Sequence, residues 1–200
     1  MTKKKWIIIG AVVLALVGIF LAVVLWLIPA LSQPEGPEVK NTPKQVVKTV
    51  MKALMGDGTT ERVLLGADGT PVGISAGSGI AKIITSRMTY EITALDMLDE
   101  KTALASLEIS APDAQKAVKA ALDGMEYYDE TIFTENMRAK LETMEHTLQF
   151  SVQVELVLVE DRWCLVTNPD FSDAITGGLV TSYAQIQQDI MDAFAGGGEA

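Results

Sequence analysis

Apolar side chains are spaced along this chain in three ways, and each spacing predicts a different element. From Trp6 to Ile28 the sequence WIIIGAVVLALVGIFLAVVLWLI holds 23 residues without a charged or strongly polar side chain. At 1.5 Å per residue such a helix is about 35 Å long, enough to cross a hydrocarbon core of about 30 Å with some tilt. Beyond it the spacing becomes helical. Thr42-Pro43 supplies an N-cap followed by proline at the first helical position, Val46, Val47, Val50, Met51, Leu54 and Met55 recur on one face, and Gly56 closes the segment. This amphipathic helix over 42–55 is expected to lie on a sheet.

From Met88 the period drops to two. Met88, Tyr90 and Ile92 alternate with Thr89, Glu91 and Thr93, Leu98-Asp99-Glu100-Lys101 turns the chain, and Ala103, Ala105, Leu107 and Ile109 continue the alternation. Pro112-Asp113 opens a helix to about Leu122, and a second is expected over 134–145 with Met137, Leu141 and Met144 on one side. The clearest strand follows. Phe150, Val152, Val154, Leu156 and Leu158 point one way, toward the 42–55 helix, while Gln149, Ser151, Gln153 and Glu155 point the other. Glu160-Asp161-Arg162 turns it into a last strand from Trp163 to Thr167. Leu179, Tyr183, Ile186, Ile190 and Phe194 then mark a C-terminal helix.

Residues 56–80 are rich in glycine and read as loop. Within them GISAGSGIAK lacks the Gly-Lys-Ser/Thr ending of a phosphate loop, since Lys82 stands between Ala81 and Ile83. Helix, hairpin, helices, hairpin, helix is the order of an α+β domain with an antiparallel sheet and helices on one face. The expected divisions are 1–5 as a cytoplasmic tip, 6–28 as a transmembrane helix and 29–41 as a Pro/Gly-rich linker. The α+β domain takes 42–178, the C-terminal helix 179–194 and a disordered tail 195–200.

Charge sets the orientation. Lys3, Lys4 and Lys5 precede the apolar span and its far flank is uncharged until Glu35, so the N-terminus is expected in the cytoplasm and the domain outside. The apolar core is much longer than that of a cleavable signal, and Ile28-Pro29-Ala30 makes a poor cleavage site. The mean hydropathy of +0.25 reflects this one segment. The chain has 16 Lys+Arg against 26 Asp+Glu, and setting aside the three N-terminal lysines leaves 13 against 26, a net of −13. A surface so acidic repels phosphate backbones and anionic headgroups, which argues against nucleic acid and against a second, surface-bound membrane contact. Cys164 is the single cysteine and can form no intramolecular disulfide. An exported domain without disulfides points to a bacterial source.

The stretch VQVELVLVEDRWCLVTNPDFSDAITGGL, preceded by the 42–55 helix, resembles exported bacterial domains with the cystatin-like or nuclear-transport-factor-like cone fold. The likeness covers roughly residues 42–180, and such domains occur as lipoproteins or single-span proteins, mostly of unknown function, in Gram-positive bacteria. This chain departs from them in lacking a lipobox cysteine and in adding a C-terminal helix. The resemblance implies fold and location, and no activity.

Candidate chemistry is sparse. His146, the single histidine, is a possible general base, although a surface or capping role explains it as well. One His and one Cys do not make a zinc site, and Asp123, Glu126, Asp129, Glu130 and Glu135 lack the order of a calcium loop. No catalytic residue, metal or cofactor is therefore expected. Tyr90, Phe150 and Trp163 fall on strand faces turned toward the helices, where a cone has its cavity. They are the candidate ligand-pocket residues, with plain core packing as the simpler role. The expected function is a membrane-tethered extracytoplasmic binding or interaction module, held in the bilayer through 6–28, with a protein or small-molecule partner outside. The alternative is a cone-fold hydrolase or isomerase using His146 or a buried carboxylate.

Overall fold

The computed structural model describes residues 41–56, 63–72, 79–123, 125, 129–185 and 188. The apolar run 6–28, all of the 29–41 linker except Asn41, most of the second half of the C-terminal helix and the 195–200 tail lie outside them. Among the described residues no helix is long and apolar enough to cross a membrane.

The elements run α1 (Pro43–Leu54), β1 (Leu64–Leu65), α2 (Gly79–Ser86), β2 (Thr89–Met97), β3 (Thr102–Pro112), α3 (Ala114–Leu122), α4 (Glu130–Thr143), β4 (Thr147–Val159), β5 (Arg162–Val166) and α5 (Pro169–Ile175). The mixed α+β class is as expected. A five-stranded sheet in the order β1-β5-β4-β3-β2 carries the helices. β2 to β5 are antiparallel neighbours, and only the two-residue β1 runs parallel to its partner, β5. The α3–α4 pair is inserted between β3 and β4 without parting them. Pro112 and Thr147, at the two ends of the insertion, are paired across the sheet.

Side-chain parity builds the core. Ala103, Ala105, Leu107 and Ile109 of β3 stand opposite Leu156, Val154, Val152 and Phe150 of β4, and all but half-buried Phe150 are buried. Burying this face against helices supplies most of the stabilisation, at about 25 cal/mol per Å² of apolar surface removed from water. Alanine at 103, 105, 111, 114, 117 and 121 lets backbone approach backbone, and Phe133, Phe171, Met51 and Met137 fill the space above.

The helices start where short polar side chains cap them. Thr42 accepts from the Gln45 amide and the Gln45 side chain accepts from the Thr42 amide, a closed capping box before Pro43. Asp113, Asp129 and Asn168 cap α3, α4 and α5 by accepting from the amides of Lys116, Ile132 and Phe171, without the reciprocal bond. Arg87, just past α2, donates to the carbonyls of Leu141 and Met144 and so satisfies the end of α4.

Four expectations are corrected. The stretch 56–80 is not loop throughout. Leu64–Leu65 pair with Leu165–Val166, and a helix starts at Gly79. The helix expected over 134–145 begins at Glu130, where Asp129 caps it, and ends at Thr143. A further helix, Pro169–Ile175, follows the last strand, and it is this α5 that lies against β4, while α1 rests on β5. The C-terminal helix expected over 179–194 is present where that range is described, over 179–185 and at 188, and its other residues lie outside the described ones.

Candidate functional site

The register decides which candidate side chains meet. Tyr90 stands opposite Ile109, and Ile109 opposite Phe150, so the two aromatics belong to one row across β2, β3 and β4 on the helix-facing side. Both are partly buried and pack against the core. Burial pushes the Tyr90 phenol above its ordinary pKa of 10.0. Trp163 shares their face but not their place. It pairs with Leu158, eight residues farther along β4, or roughly 27 Å at about 3.4 Å per residue. Tyr90 and Phe150 are thus neighbours across one strand, and Trp163 lies at the opposite end of the sheet.

Trp163 has a different companion. The Asn41 side chain accepts from the Trp163 amide at 3.0 Å and donates to its carbonyl at 3.4 Å, standing in for a neighbouring strand at the free edge of β5. Two residues on, Val63 takes over that role by accepting from the Leu165 amide. Residue 41, placed in the linker by composition, is therefore already seated on the sheet.

His146 meets a carboxylate that the sequence did not pair with it. Its Nδ1 lies 3.2 Å from Asp113 Oδ2, and the two backbones are joined by the Asp113 amide donating to the His146 carbonyl. Asp113 is the only buried charged or polar residue among those described. Its Oδ1 is occupied, accepting from the Lys116 amide at 2.8 Å. The chain closes over this corner at Gly177, whose carbonyl accepts from the Ala114 amide. Gly177 has φ +65°, and a Cβ there would sit 2.2 Å from the Pro112 carbonyl oxygen, so only glycine fits. The His146 side chain is 57% exposed. The Ser182 hydroxyl is buried with no hydrogen-bond partner among the described residues, so it is not bonded to His146 and forms no Ser-His-Asp relay with it.

Cys164 is buried, and burial raises its thiol above the usual 9.0 despite the opposing charge of Arg162. A thiol held protonated is a poor nucleophile. Among the described residues no group of three His, Cys, Asp or Glu could hold a metal. A shallow groove on α4, lined by Glu130, Thr131, Thr134, Glu135 and Arg138, is open to solvent and polar.

The far face of the sheet is the larger surface. Thr89, Glu91 and Thr93 of β2, Glu108 of β3, and Gln149, Ser151, Gln153 and Glu155 of β4 are exposed there. Glu91 and Glu108 are direct cross-strand partners, a destabilising like-charge pair. Ser151 donates to Glu108 at 2.7 Å, and neither glutamate has a cationic partner among the described residues. The period-two pattern had marked this face as polar. The glutamate pairing needed the register.

Among the described residues, the fold and these sites define an α+β domain with one sheet face covered by helices and the other exposed across β2 to β4. Comparison of the chain with protein-family models, with curated proteins and with solved structures gives no match.

Proposed function

We propose that this chain is a membrane-tethered extracytoplasmic binding module of the cystatin-like or nuclear-transport-factor-like cone class, which meets a protein partner through the open face of its sheet. The observation that carries the reading is the contrast between a filled interior and an unroofed polar face. The side where a cone would hold a ligand is packed with Leu107, Ile109, Val152, Val154, Leu156, Phe133 and Phe171. The exposed side keeps Glu91 opposite Glu108, at a cost in stability that a basic partner surface would relieve. The helix-on-sheet arrangement with a four-stranded antiparallel meander supports the cone assignment. The apolar run 6–28, flanked by Lys3, Lys4 and Lys5 on one side only, supports the anchor and the extracytoplasmic location.

The Asp113–His146 contact favours a second reading, a hydrolase or isomerase using His146 as base. Against it, one Asp113 oxygen is engaged in capping α3, and the His146 side chain is 57% exposed to water rather than set in a dry pocket.

One experiment separates the two. A photo-crosslinker placed at Gln153 of the full chain in native membranes should give a discrete protein adduct that Glu91→Lys with Glu108→Lys abolishes. His146→Ala should leave that adduct unchanged. No adduct from the open face, together with loss of the cellular phenotype in a normally folded His146→Ala protein, would replace binding with catalysis.

A further inference from the structure

Both hairpin turns of the sheet lie at the end from which the chain leaves toward residue 40. The β2–β3 turn and the β4–β5 turn are neighbours there, because Thr102 pairs with Val157 and the Leu158 amide donates to the Lys101 carbonyl. Asn41 grips Trp163 two residues past the β4–β5 turn. The largest exposed apolar side chains of the sheet gather at this end: Leu98 at 61%, Met97 at 55% and Val159 at 44% exposure.

Resting on the anchor reading above, we infer that this end faces the bilayer and that Met97, Leu98 and Val159 sit at headgroup level in it. Residues 29–40 are twelve residues, and a flexible chain of that length would span about 17–21 Å on average and at most about 43 Å fully drawn out. β4 alone is about 44 Å long. Turning the domain over would require the linker to run the length of the sheet nearly taut, whereas the tip-down arrangement needs no extension. The same geometry points the Asp113–His146 corner and the Tyr90–Phe150 row away from the membrane.

On the anchor reading the occupant is lipid, because a linker of residues 29–40 would keep this end of the sheet beside the bilayer. A membrane held within one linker length is present at an effective concentration on the order of millimolar, so three apolar side chains suffice where a free domain would not bind. The tip is acidic, with Asp96, Asp99, Glu100, Glu160 and Asp161 against Lys101 and Arg162. It therefore suits zwitterionic headgroups and is repelled by anionic ones.

The test uses the full chain with Cys164→Ala, reconstituted in phosphatidylcholine–phosphatidylethanolamine vesicles. An environment-sensitive fluorophore is placed through Leu98→Cys or, at the far end of the sheet, Gln149→Cys, and a nitroxide is carried on the lipid headgroups. Quenching at position 98 should exceed that at 149 by about threefold or more, in keeping with insertion by 5–10 Å at most. It should weaken when anionic lipid is added. Equal quenching at the two sites, or the reverse order, overturns the inference. So does a position-98 fluorophore shielded from aqueous iodide yet unreached by the lipid nitroxide, which would mean that a protein covers the tip. Flotation of the same vesicles tells the two levels apart. A chain that does not float removes the anchor and this orientation together, while one that floats with an unquenched tip removes only the orientation.

Discussion

Along β4, the side chains of Val152, Val154 and Leu156 and those of Ser151, Gln153 and Glu155 alternate on one backbone yet live in opposite media. The first set is sealed under α5 and the other helices, and its chemistry is limited to packing. The second set is in water, and there the sequence tolerates two glutamates side by side across β2 and β3. Stability is thus concentrated on one face, which leaves the other free to keep an arrangement that folding alone would not favour. Substitutions on the two faces should separate accordingly.

The strongest way to break this contrast is at Leu156, which is fully buried. Leu156→Ala should cost about 3 kcal/mol through lost burial plus a cavity, read as a fall in the urea midpoint at unchanged slope. A loss no greater than that of an outer-face variant would mean that the inner layer is not the core described here.

The corner where the two faces meet the helices comes next. Asp113→Ala should cost about 1–2 kcal/mol, because the amide of Lys116 loses its acceptor and α3 its cap. Asp113→Asn keeps the cap and should recover most of that loss. His146→Ala, which removes an exposed partner, should change the midpoint by less than about 0.5 kcal/mol.

Alkaline pH offers a softer probe. Burial raises the Tyr90 phenol and the Cys164 thiol, from opposite faces of the sheet. The unfolded chain releases these protons first, so their contribution is fully present below the ordinary 9.0 of the thiol and is lost as pH climbs through the raised values. Midpoints measured from pH 8 to 11 should decline, and Cys164→Ala should remove the earlier part of the decline. Rapid alkylation of native Cys164 at pH 8 would contradict its burial.

The smallest expected effect sharpens the contrast most. Glu108→Gln removes half of the like-charge pair and should be neutral or stabilising by up to about 0.5 kcal/mol, while weakening capture of the proposed partner. Gln153→Ala should be near neutral for folding.

Much of this was readable from period alone. The alternation from Gln149 to Leu156 assigned those side chains of β4 to their correct faces, and Thr42-Pro43 and Pro112-Asp113 marked two helix starts. Parity is a local property of the chain. Row is not. That Tyr90 and Phe150 share one row while Trp163 lies eight residues away follows from hydrogen-bond register between strands, which no single segment encodes. β1 was missed for the same reason, since two leucines become a strand only when Leu165 and Val166 are beside them. The α5 helix was a different failure. Asn168-Pro169-Asp170 holds an N-cap, a proline at the first position and an acid in the first turn, and all three signals were present to be read. Asp113 could be seen as a helix opener, whereas its contact with His146 arises from the pairing of Pro112 with Thr147.

The seat of Asn41 on β5 also has a mechanical side. A pull on the N-terminal segment reaches the sheet at a single amide side chain held by two hydrogen bonds to Trp163, one of them long. Load enters at the sheet's edge near the start of β5 and is not shared along the strand. Such a joint lets go before the ladder it touches, lengthening the leash by a residue or so while α1 and the hairpins keep their shape. The junction acts as a fuse between the N-terminal segment and the domain, absorbing a tug that would otherwise be delivered to the core.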